Sequence, residues 1–236
     1  MEQKCYSEAA KCLNVRGMLE KCVLFKGIGP EEIDALMNCM NGQVFHYDKG
    51  EYLFRAGQSI SRAYILLNGR IIAEQVDYWG NRDILQEFGP GELVAVNYAI
   101  VDAEAVPTDV MTLEESCVLT VEAERLIKVC DTGCACHNNV KDNLIMMLSS
   151  GNRSLAQKLR HVSKRSTRDK LISYLTDSAI AAGKMEFDIH LDRQQLADYL
   201  AVDRSAMSAE LSKMRKEGML DFKKNHFILH VREESL

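Results

Sequence analysis

The apolar and polar positions change rhythm twice along the chain. Between residues 15 and 40, Ile33, Leu36, Met37 and Met40 recur at spacings of three and four, which predicts helix. From about 43 to 121 the pattern becomes short apolar runs broken by turn residues. Val44–Tyr47 precedes Asp48-Lys49-Gly50, and Tyr52–Phe54 precedes Ala56-Gly57. Ala63–Leu67 runs into Asn68-Gly69 and then Arg70–Ile72. Asn-Gly between two apolar runs signals a hairpin, because both central residues must reach positive φ. Trp79-Gly80-Asn81 and Phe88-Gly89-Pro90-Gly91 are further punctuation, and 110–113 and 118–121 read as two more strands. Many short strands at near-even spacing predict a sandwich, jelly roll or barrel.

The second change comes near Asn138. Leu144, Met147, Leu148, Leu155, Leu159 and Val162 form a helical stripe at spacings of three, four and seven, interrupted by Gly151. A helix over 138–163 would be about 39 Å long. Its apolar stripe needs cover, either from an identical helix of a second copy or from the β-domain beneath it. Periodicity leaves both open. Beyond Ser166 the elements are short and mixed: a helix over 167–180, a strand near 187–189, helices over 193–200 and 204–217, and strands at 220–223 and 226–231 joined across Lys224-Asn225.

Composition narrows the class. Of 236 residues, 47% are hydrophobic and 27% charged, which suits a globular chain and excludes a wholly disordered one. No stretch approaches the ~18 apolar residues a membrane span needs, and the first residues lack a signal peptide's apolar run. The expected location is the cytoplasm, with no membrane partner. Charge is uneven: residues 1–163 carry 16 Lys and Arg against 22 Asp and Glu, whereas residues 164–236 carry 13 against 12. A nucleic-acid site therefore belongs in the C-terminal third. Eight cysteines without a secretory signal are expected to be thiols rather than a disulfide framework.

The most informative stretch is 193–211. Leu196 and Leu200 face inward from a first helix, and Ala197 lets a second helix cross close to its backbone. Ala201-Val202 forms a tight turn with Val202 buried, Asp203 caps the second helix, and Met207 and Leu211 anchor it. The opposite face shows Arg204, Ser205, Ser208 and Ala209, then Lys213 and Lys216. Short hydrogen-bonding and cationic groups suit base edges and phosphates. The N-terminal residues of a helix in the major groove meet the bases, which selects Arg204, Ser205 and Ser208. Arg193, Gln194 and Lys213 are candidates for phosphates. An ordinary pair of packed helices would not need the cap, the small residue, the charged outer face and the following hairpin together.

On these residues the chain resembles the CRP/FNR superfamily of bacterial transcription regulators. Gly50–Gly57 (GEYLFRAG) and Tyr64–Gly69 (YILLNG) are similar to the first hairpins of its cyclic-nucleotide-binding-type β-roll, and Phe88–Leu93 (FGPGEL) to the mouth of its effector pocket. Leu191–Leu200 and Val202–Ser208 resemble its winged helix-turn-helix. The resemblance implies an α+β fold in three parts: a β-roll or jelly-roll sensor with flanking helices (1–137), a long dimerisation helix (138–163) and a C-terminal winged helix-turn-helix (164–236). It implies double-stranded DNA, a second copy of the chain and RNA polymerase as partners. It also implies a small-molecule effector whose pocket lies near Gly91, Glu92, Leu93, Thr108 and Val110, and a dimer interface built on Leu144, Leu148, Leu155 and Leu159. An effector in such a protein shifts the population between sensor states.

Three departures matter. Cyclic-AMP binders carry an Arg for the cyclic phosphate, whereas this chain has no Arg from Gly91 to Glu124 and places Asp109, with Glu104 nearby, in that region. An anion would be repelled there, so cyclic AMP is not the expected effector. Oxygen-sensing members hold an iron–sulfur cluster with a tight N-terminal cysteine trio, whereas Cys5, Cys12 and Cys22 are widely spaced and Cys117 falls short of the fourth ligand position. Ala209 stands where many members carry a second base-reading Arg.

The densest group of soft ligands is Cys130, Cys134, Cys136 and His137, which have the donor types for zinc or an iron–sulfur centre. Free, partly buried thiols are the plainer reading. His46, His161, His190, His226 and His230 show no ligand spacing, and no catalytic motif is present, so an enzyme is not expected. Two other readings stay open: a metal- or redox-sensing regulator, and a ligand-binding protein whose helix-turn-helix serves interaction only.

Overall fold

The structure, a computed structural model, describes residues 14–100, 105–127 and 135–230. Among them the chain forms two compact units: residues up to 75 with 85–154, and 76–84 with 155 onward.

The N-terminal unit opens with α1 (Val15–Lys21), a 3-10 turn at Val23–Phe25 and α2 (Pro30–Cys39). Gly27, at φ 80°, and the Gly29-Pro30 pair split what the apolar spacing reads as one helical region. Eight strands follow: β1 (Gln43–Tyr47), β2 (Tyr52–Phe54), β3 (Arg62–Asn68), β4 (Ile71–Val76), β5 (Arg82–Phe88), β6 (Leu93–Val94), β7 (Asp109–Thr112) and β8 (Ser116–Glu122). Helix α3 (Val96–Ile100) lies between β6 and β7, and α4 (Ala123–Ile127) follows β8. The strands make two four-stranded sheets, in the orders β1-β8-β3-β6 and β2-β7-β4-β5. The Asn68-Gly69 pair does not close the expected hairpin: β3 and β4 lie in different sheets, and of the two residues only Gly69, at φ 97°, has positive φ. The pair turns the chain from one sheet to the other, and a Cβ at Gly69 would sit 2.1 Å from Ser116 Oγ. Glycine is therefore required by conformation and by space.

Strand alternation divides the core in two. On β3, Ala63, Ile65 and Leu67 join Cys117, Leu119 and Val121 of β8 in a cluster closed by Leu24, Phe25, Ile33, Leu36 and Met40. Leu66 and Val118 point the other way, between the sheets, with Phe54, Ile71, Phe88, Val94 and Val110.

Helix α5 runs from Ala135 to Val162, beginning three residues before the expected start. Periodicity allowed its stripe two fates, and the structure uses a different edge of the stripe for each. Val140, Leu144 and Met147 are buried in the first cluster of their own unit. Ile145, Leu148, Leu155 and Leu159 remain 60%, 42%, 50% and 65% exposed. Leu144, assigned by sequence to the dimer interface, is thus an intramolecular core residue. Ile145, which the stripe left out, takes its place on the open edge.

In the C-terminal unit, α6 (Thr167–Ala182) is followed by β9 (Glu186–Asp188), α7 (Arg193–Leu200), α8 (Arg204–Lys216), β10 (Leu220–Lys223) and β11 (His226–Leu229). The strands form one sheet, β10-β11-β9. Leu171, Leu196, Leu200, Met207, Leu211 and Phe227 are fully buried. Residues 76–84, the tip of the β4–β5 hairpin, belong to this unit: Lys158 donates to the Ile84 carbonyl at 3.0 Å. Among the described residues no helix is long and apolar enough to cross a membrane.

Candidate nucleic-acid interface

Local signals start and stop both helices of the motif. The Asp192 carboxylate accepts from Gln195 N–H at 2.9 Å while the Gln195 side chain accepts from Asp192 N–H at 2.8 Å, a complete capping box for α7. The helix ends at Ala201, which holds φ 49° without being glycine. Lys170 of α6 braces this turn, donating to the Leu200 and Ala201 carbonyls at 2.9 and 3.1 Å. Asp203 then caps α8 by accepting from Ala206 N–H at 2.8 Å. The Ser205 hydroxyl also donates to Asp203, and these hydrogen bonds hold the Asp203 carboxyl below its usual range. Ala197 is fully buried at the helix crossing as expected, whereas Val202 is only half-buried.

Helix α8 presents two chemically distinct faces. Met207, Leu211 and Met214 are buried. Arg204, Ser205, Ser208, Ala209, Lys213 and Lys216 are exposed. The Ser208 hydroxyl donates to the Arg204 carbonyl at 2.8 Å, which leaves its oxygen free to accept. Glu210 would put a negative charge beside this surface, but Arg168 of α6 draws it off at 3.1 Å and binds Glu217 as well. The exposed face is consequently cationic and hydroxyl-bearing.

Two of the sequence-predicted phosphate ligands are committed inside the protein. The Arg193 guanidinium lies 4.9 and 4.8 Å from the ring centres of Phe222 and Phe227, with both terminal nitrogens buried and unbonded. Burial pushes its pKa down, so the cation is stored against the sheet by cation–π attraction. The Gln194 amide donates to Asp198 at 2.7 Å. Sequence reading passed over Lys223 and Lys224, which are exposed at the turn between β10 and β11. The available signal was a Lys-Lys-Asn turn in a hairpin directly after the second helix.

A braced corner supports α7. Asp177 of α6 accepts from Gln157 and His161 at 2.8 Å each and also from Arg160, all three on the last turns of α5. His161 is 2% exposed, and its other ring nitrogen lies 3.4 Å from the Tyr199 hydroxyl of α7. Burial pushes the His161 imidazole down, against the upward pull of Asp177. Burial raises the Asp177 carboxyl, but its hydrogen bonds and the Arg160 charge outweigh that and hold it below its usual range.

The predicted sensor residues do not converge on one described cavity. Leu93 packs toward the helix-covered cluster, whereas Val110 is buried between the sheets. Thr108 is 6% exposed. The Glu92 carboxylate folds back, accepting from Gly89 N–H at 2.6 Å and from Ser154 at 3.4 Å. Gly91, at φ 86°, instead borders a cavity of about 420 Å³ with Met18, Lys21, Cys22, Leu67 and Asn68. The Asp109 carboxylate accepts from Ala56 N–H at 2.7 Å.

Of the soft ligands, Cys130 and Cys134 lie outside the described residues, as do Cys5, Cys12 and Glu104. His137 is 2% exposed and its Nε2 is 3.7 Å from Cys39 Sγ of α2, a partner that sequence spacing gave no means to find. Cys136 hydrogen-bonds Glu32 of the same helix. Among the described residues, no group of three or more such side chains could hold a metal ion. Cys22 is buried, which pushes its thiol up to about 11. Cys22, Cys39 and Cys136 are free thiols among the described residues.

Comparison with known proteins agrees with this geometry. Residues 44–132 match the cyclic nucleotide-binding domain and residues 169–236 the Crp-like helix-turn-helix domain. The transcriptional activator protein FnrA of Stutzerimonas stutzeri is 24% identical over 178 residues, 73% of this chain and 70% of that protein. The fumarate and nitrate reduction regulatory protein of Escherichia coli (strain K12) is 22% identical over 207 residues, 86% and 80% of the two chains. Among solved structures, the c-di-GMP responsive global regulator CLP of Xanthomonas campestris superposes with a TM-score of 0.70 at 16% identity, covering 84% of this chain and all of that one. FixK2 of Bradyrhizobium japonicum gives 0.65 at 16% identity, covering 82% and 94%.

Proposed function

Because the chain belongs to the CRP/FNR superfamily of transcription regulators, with a cyclic-nucleotide-binding-type sensor ahead of a Crp-like helix-turn-helix, we propose that it works as a cytoplasmic, non-enzymatic homodimer on near-palindromic DNA. Its RNA-polymerase contact follows from the same reading. The observation that carries the DNA-reading role is the two-faced α8: Met207, Leu211 and Met214 buried, Arg204, Ser205 and Ser208 exposed, and Glu210 tied back by Arg168. Arg204 reads a base, Ser205 and Ser208 assist, and Lys213, Lys216, Lys223 and Lys224 meet phosphates. Two such helices would enter successive major grooves about 34 Å apart.

The effector acts in the N-terminal unit and is not cyclic AMP, since Asp109 stands in a stretch without Arg. A thiol-based signal is the second reading, favoured by the Cys39–His137 contact.

The test is DNA binding to a selected palindrome and to random DNA across a salt series. The log–log slope should fall by about 0.9 for each phosphate contact removed. Arg204→Ala should cost about 1–3 kcal/mol on the palindrome and leave random-DNA binding nearly unchanged. Equal losses on both DNAs would sink the base-reading role. Binding unchanged by reductant and oxidant would sink the thiol-based reading.

A further inference from the structure

The open edge of α5 has a spacing its composition alone conceals. Ile145, Leu148, Asn152, Leu155 and Leu159 follow one another at three, four, three and four residues. That is the a–d repeat of a two-stranded coiled coil, with Ile145, Asn152 and Leu159 at a and Leu148 and Leu155 at d. The four apolar members are exposed, as is Met146, 67% exposed, which lies one position off the seam. The helix cannot turn to cover them, because Val140, Leu144 and Met147 hold its adjacent edge in the core of its own unit. Three flanking positions are small, Ser149 and Ala156 being exposed and a Cβ at Gly151 meeting nothing within 4 Å, while a fourth, Lys158, donates to the Ile84 carbonyl.

Asn152 is the one polar residue in this five-residue seam. It is exposed and makes no hydrogen bond among the described residues. A carboxamide carries donor and acceptor together, so two of them related by a twofold axis satisfy each other. A lone asparagine facing an apolar groove would instead be left unpaired. We infer that Asn152 pairs with the same residue of a second copy at the centre of a parallel, in-register coiled coil along α5, fixing its register and limiting assembly to two chains. A polar residue at a single a position does this by penalising slipped and higher-order packings, at a cost in stability. The inference rests on the homodimer proposed above and assigns the residue that specifies it.

The experiment is sedimentation of the full chain together with cysteine cross-linking. Wild type should be dimeric at micromolar concentration. Asn152→Leu should associate at least tenfold more tightly and populate species larger than a dimer. Under mild oxidant, Asn152→Cys and Leu155→Cys should each form a self-linked dimer above the wild-type background, and Arg153→Cys should not. Cross-linking at 152 but not at 155 would overturn the parallel arrangement. A clean Asn152→Leu dimer of unchanged affinity, or no cross-link at 152 in a dimeric protein, would overturn the role of Asn152 and leave the homodimer standing. A monomeric wild type at all concentrations would overturn the homodimer itself.

Discussion

Replacing Asp177 by alanine tests the braced corner beneath α7. Three donors converge on this carboxylate, but they would not lose equally. Arg160 is 57% exposed at its side chain and can turn to water, as an exposed pair contributes about 0–1 kcal/mol. Gln157 is half-buried and costs little more. The His161 side chain is 3% exposed and has no solvent to turn to. Leaving a buried donor without its acceptor costs about 1–3 kcal/mol, so the total should be about 2–3 kcal/mol. The C-terminal unit is small, so each kcal/mol lowers Tm by about 4–8 °C. A fall of roughly 10–20 °C in the transition of that unit is expected by circular dichroism, and Asp177→Asn, which keeps an acceptor, should lose about half as much.

The pH dependence adds a second reading of the same corner. His161 is held below its unfolded value, so protons favour the unfolded chain and stability is lost as pH falls below about 6.5. Asp177→Ala removes the pull that raises the imidazole and should steepen that loss. A variant within 2 °C of wild type, or with an unchanged acid profile, would refute the reasoning.

Two further outcomes are expected. Ala201→Gly should stabilise the C-terminal unit by about 1 kcal/mol, because the turn holds a left-handed conformation that costs L-residues other than glycine about 1–2 kcal/mol; a destabilised variant in urea titration would contradict this. Burial pushes the Lys158 ammonium down to about 8, with a secondary pull upward from Asp83, so folding expels a proton between that value and the unfolded pKa of about 10.4. Stability should therefore rise with pH across this window, and Lys158→Met should flatten the rise relative to wild type; identical slopes would dismiss it.

How much was legible depended on whether the cause was local. The Asp203 cap and the Met207–Leu211 spacing act within four residues, and each stands where the sequence put it. The Asn68-Gly69 hairpin, by contrast, does not form, because β3 and β4 find their partners in different sheets, among strands distant in sequence. The α5 stripe was visible as a stripe. Which edge would be buried at home depended on α2 and β3 beneath it, so Leu144 and Ile145 could not be told apart. Arg193 looked like a phosphate ligand because its aromatic partners lie 29 and 34 residues away in sequence. Glu92 fits the pattern of the effector-pocket mouth, yet its carboxylate closes its own turn. Pairings across long separations, such as His161 with Asp177 and Cys39 with His137, left no trace in periodicity.

The C-terminal unit is discontinuous, since residues 76–84 are made long before residues 155–236. On the ribosome, its first piece must wait for residues 85–154 to be made before its partners exist. The same topology governs dissection. A protease nicking α5 between 154 and 155 would release a polypeptide that leaves its own hairpin tip behind, with Lys158 stripped of the Ile84 carbonyl. The recognition motif is therefore encoded in one stretch but completed by another, and a gene fragment that starts at the helix-turn-helix is not the gene for a whole domain.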